Sequence, residues 1–129
     1  MSVSVRWYNE DKRALVLSFV APWDWDEFAQ VDQDLEYGFS SVLHTVDLLA
    51  DLREAGSMPM DVVDLLADAY ADATPNIGRY IFLGADEAFK QQLETAESYY
   101  RVFGGHIDYV FVETMGQAHR AIGQLNRQR

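Results

Sequence analysis

Residues 45–66 read TVDLLADLREAGSMPMDVVDLL. Thr45 to Leu52 have the length and apolar content of a strand, broken only by Asp47 and Asp51. Gly56 and Ser57 then give a turn, and Pro59 marks the point behind which the spacing changes. Val62, Val63, Leu66, Ala69, Tyr70 and Ala73 recur at three and four residues, which predicts a helix over 60–73. A strand that ends in a short loop and hands over to a helix is the repeating unit of an α/β sheet.

Upstream, Val3, Val5 and Trp7 alternate with Ser4, Arg6 and Tyr8, the period of a strand with one wet face, expected at a sheet edge. Asn9 to Lys12 turn the chain into Ala14–Val20, whose near-continuous apolar run reads as a central strand paired with the first in a hairpin. Pro22 ends that strand. Asp24, with Glu27 three residues on, opens a helix whose inner stripe is Phe28, Val31, Leu35, Phe39 and Val42.

Downstream, Thr74-Pro75-Asn76 stops the 60–73 helix, and residues 78–84 form the next strand. Asp86 caps a helix of about 17 residues with Phe89, Leu93, Ala96, Tyr100 and Phe103 inward and Gly104 as its stop. Residues 107–112 give a fifth strand. Thr114 and Gln117 repeat the capping pattern ahead of a last helix that packs Ala118, Ala121, Ile122 and Leu125. The order is ββαβαβαβα: an α/β fold of one domain over 1–129, with a five-stranded mixed sheet, an antiparallel first hairpin, later strands parallel, and four helices.

Composition narrows the function. With 49% hydrophobic and 24% charged residues the chain belongs with globular proteins rather than disordered or membrane ones. Its 10 Lys and Arg against 21 Asp and Glu leave −11, which repels phosphate backbones, so nucleic acid is not an expected partner. The absence of cysteine removes disulfide and thiolate chemistry and fits the cytoplasm. MSVSVRWYNEDKR lacks the pattern of a signal peptide, and no run reaches membrane-span length.

Open parallel sheets bind ligands beyond the carboxyl ends of their strands, so the turns after residues 20, 52, 84 and 113 are where chemistry belongs. Neither GxGxxG nor GxxxxGK[ST] occurs, so no nucleotide cofactor is expected. His44, His106 and His119 have no metal-ligand spacing. Ser57 follows Gly56 without the second glycine of a nucleophile elbow, and no enzyme activity is expected. Two binding features remain. Asp61, Asp64, Asp68 and Asp72 make an acidic ridge along the 60–73 helix, suited to solvent or to a basic partner. Trp23 and Trp25, with Tyr99 and Tyr100, could pack as core or line an apolar pocket for a small or lipid-like ligand.

The element order, Asp51-Leu52 closing the third strand, and Glu113-Thr114-Met115-Gly116-Gln117-Ala118 leading into an Ala-rich last helix together resemble the STAS domain of anti-sigma-factor antagonists. The resemblance implies a cytoplasmic, non-catalytic regulatory module that binds another protein near the helix after the third strand. On this chain that surface comprises Arg53, Ser57, Met58, Met60, Asp61, Asp64 and Asp68. The family places a phosphorylated Ser or Thr at that helix start. Here Met58-Pro59-Met60-Asp61-Val62 has no hydroxyl, so a switch at the usual site is not expected. The alternative is a small-ligand carrier using the Trp23, Trp25, Tyr99 and Tyr100 region. The edge strand also leaves a homodimer open, because its outer backbone groups can pair with a second copy.

Overall fold

A computed structural model describes residues 2–56, 76–102 and 108–122. Its elements are β1 Val3–Trp7, β2 Ala14–Val20, α1 Trp25–Ser40, β3 Val46–Glu54, β4 Ile77–Leu83, α2 Glu87–Val102, β5 Tyr109–Val112 and α3 Met115–Ala121. The described residues thus hold three helices where the sequence predicts four. The expected helix over 60–73 lies outside them.

The five strands form one mixed sheet in the order β1-β2-β3-β4-β5. β1 runs antiparallel to β2, from Val3 opposite Phe19 to Trp7 opposite Leu15, and the pairs β2–β3, β3–β4 and β4–β5 are parallel. The hairpin and the edge position of β1 are as the alternation predicts. Because each parallel connection advances by one strand in the same direction, right-handed crossovers bring their helices to one face. Phe28, Val31, Leu35 and Phe39 of α1 and Phe89, Leu93 and Ala96 of α2 are accordingly buried in one cluster with Leu15, Leu17, Phe19, Leu48, Ala50, Tyr80 and Phe82. The described part of each inner stripe matches the three-and-four spacing, while the predicted Phe103, the Gly104 stop and Leu125 lie outside the described residues.

α3 follows β5 and folds back over the opposite face. There Ala118 and Ala121 pack with Val16, Leu49, Ile81, Leu83 and Val112. α3 lies against β4 and β5, and among the described residues this second face stays open towards the end of β2, where Val20 is 43% exposed. The sequence predicts β2 covered on both faces. Coverage holds for Ala14 to Leu17 and Phe19, and ends where the covering helix does.

Capping follows the sequence closely. Asp24 accepts the Glu27 amide at 2.9 Å, Asp86 that of Phe89 at 2.8 Å, and Thr114 that of Gln117 at 3.1 Å. Gln117 returns the contact by accepting the Glu113 amide at 2.7 Å. Glu27 instead accepts the Ser2 amide at 3.2 Å, so its carboxylate ties the start of the chain to α1.

Two polar residues organise the amino-terminal rim of the sheet. Asn76 aims its amide at the carbonyls of Phe39, Val42 and His44, at 2.8 to 3.2 Å, and so holds the α1–β3 connection. Asp47 is fully buried and accepts the Arg79 amide at 3.0 Å. Its carboxyl occupies the space left by the missing side chain of Gly78.

Candidate functional site

β3 runs two residues past the predicted end because its backbone stays paired. Val20 lies opposite Glu54, and the Ala21 amide donates to the Glu54 carbonyl at 2.8 Å. Arg53 is therefore a strand residue, with its side chain on the same face as Asp51 two positions earlier. Its guanidinium grips that carboxylate with two parallel bonds, Nε to Oδ1 at 3.0 Å and Nη2 to Oδ2 at 2.8 Å. The Arg53 amide adds a third donor at 3.2 Å. Gly84, leaving β4 at φ +76°, lies under the aliphatic stem of Arg53.

The Arg53 hydrogen bond holds the Asp51 carboxyl below the ordinary range, against an opposing effect of partial burial. The charges of Arg53 and Arg6 act in the same sense. A lowered native pKa means stability that is present above the unfolded value, roughly 3.9, and is lost as pH falls through the native one. Asp51→Asn is thus expected to be less stable than wild type near neutrality, with the gap narrowing as pH falls below the unfolded value and through the native one, as urea midpoints across that acid range will show. Asp32 on α1 has the opposite sign. Burial first, and Glu36 second, raise its pKa. Its contribution is present below the unfolded value and fades as pH rises, so Asp32→Asn is expected to stabilise at neutral pH.

Trp23 closes the other side of the rim. The half-buried indole donates from Nε1 to the Ala55 carbonyl at 3.0 Å, and its ring centroid stands 5.0 Å from that of Phe19. The β2–α1 turn, which contains the cis Ala21–Pro22 peptide, is thereby fastened to the exit of β3. Trp23→Phe keeps an aromatic ring against Phe19 and removes the donor from a buried carbonyl. The expected loss is about 1–2 kcal/mol in urea unfolding.

The sequence-predicted site residues separate as follows. Arg53 stands at the carboxyl rim, with a side chain 48% exposed. Ser57, Met58, Met60, Asp61, Asp64 and Asp68 lie outside the described residues. Trp23 and Trp25 both stand at the rim, Trp25 as the first residue of α1. Tyr99 and Tyr100 are in the last turn of α2, which starts at that rim and runs back towards the other. Twelve residues of helix separate Tyr99 from Glu87, about 18 Å. Their backbone positions therefore do not meet the tryptophans at one end of the sheet.

Other polar side chains reach this region that spacing along the chain does not single out. Lys90 bridges to Glu113 at 3.4 Å and Glu87 at 3.7 Å, with its ammonium 5.6 Å from the Phe111 ring centroid. On the open second face, Ser4 pairs across the hairpin with Ser18, which lies opposite Asp51. The alternation of β1 marks Ser4 and Arg6 as wet, but only the register brings them near Asp51. At the far end, the Tyr8 hydroxyl and His119 Nδ1 are 2.8 Å apart, and His44 Nε2 is 2.7 Å from the Lys12 carbonyl. His106 lies outside the described residues.

Among the described residues, no group of three or more His, Asp or Glu is arranged to hold a metal ion, and no helix is long and apolar enough to cross a membrane. Compared with family models, with curated proteins and with solved structures, the chain matches none.

Proposed function

We propose that the chain is a STAS-like, non-catalytic interaction module of the cytoplasm that docks a protein partner on the surface opening at Arg53 and continuing through residues 57–72. In this reading the 60–73 segment is the second of the four helices of a ββαβαβαβα domain. The observation that carries it is the carboxyl rim: β3 delivers a half-exposed Arg53, clamped by Asp51 and seated over Gly84, immediately before the acidic segment. A guanidinium with a fixed geometry costs less entropy to dock than a free one, and it stands where α/β sheets habitually bind. The acids that follow add long-range attraction for a basic partner, screened beyond about 8 Å at physiological salt. Asp61, a permanent carboxylate in place of a hydroxyl, makes the surface constitutive at that position.

The test is site-specific photo-crosslinking in the native cell. A crosslinker at Glu54, exposed beside Arg53, is expected to trap one defined protein, and a crosslinker at Tyr37, exposed on α1, is expected not to. Arg53→Glu should reduce the trapped yield at least tenfold, the scale of about 1.4 kcal/mol. Equal trapping at both positions would overturn the reading. So would native mass spectrometry showing a retained small or lipid-like molecule and no trapped protein, which is the outcome a ligand carrier would give.

A further inference from the structure

We draw no further inference here: the strongest candidate, the patch of Ser4, Arg6, Ser18, Val20, Asp51 and Arg53 left open among the described residues on the sheet face opposite α1, has its one carboxylate already held by Arg53, and nothing in the structure shows what covers it.

Discussion

Gly78→Ala is expected to lose about 3–5 kcal/mol of folding stability, seen as a fall of about 1–3 M in the urea midpoint. An added β-carbon would fall inside the van der Waals contact of the Asp47 carboxyl and 2.9 Å from Thr45 Cγ2. Overpacking alone costs about 1–3 kcal/mol. The larger part comes from Asp47, which has no exposure at all and accepts the Arg79 amide. Displacing it separates a fully buried acid from a hydrogen-bond donor. Adding Asp47→Ala to Gly78→Ala should restore part of the loss, since the two sites touch and their effects do not add. An unchanged midpoint in the single variant would show that the carboxyl does not fill this space.

Gly84→Ala comes next, at about 2–4 kcal/mol. The residue sits at φ +76°, where an L side chain costs about 1–2 kcal/mol. Its β-carbon would stand 2.6 Å from Arg53 Cγ, and 3.2 and 3.3 Å from the Arg53 Cα and amide nitrogen. A side chain can swing aside; the β3 backbone there is held to β2 through Glu54 and Ala21 and gives way less easily. This variant carries a second readout, because moving Arg53 loosens its hold on Asp51. The Asp51 carboxyl should then titrate nearer its ordinary value, measurable by carboxyl NMR. A variant that is destabilised with Asp51 unchanged would place the strain away from the ion pair.

Much of the architecture is legible in the sequence, for local reasons. The hairpin follows from the period-2 alternation of Val3, Val5 and Trp7, and the helix starts from Asp24, Asp86 and Thr114, whose side chains satisfy amides three residues on. What stays hidden depends on partners distant in the chain. Spacing does not show that β3 continues to Glu54, because the cause is a hydrogen bond from Ala21. Nor does it show that Asn76, which reads as a helix terminator, spans to the carbonyls of Phe39, Val42 and His44. At the candidate site, Arg53 and Asp51 share a face by alternation, and that much is readable. The contributions of Arg6 and Gly84 are not, since both arise from register between strands. Trp23 is plain as an aromatic near a strand end, yet its hydrogen bond to Ala55 bridges 32 positions.

The sheet places its strands side by side in the order of the chain, from β1 to β5. A ribosome therefore delivers every new strand to a neighbour that is already waiting, and no gap must be kept free for a later arrival. Growth is by accretion at a single advancing edge, which limits the search that parallel pairing otherwise imposes. The vulnerable moment lies between the release of β3 and the arrival of β4, when Val46 to Leu52 present an apolar border with no neighbour on that side. Slowing synthesis across that interval should raise capture by chaperones more than slowing it anywhere later.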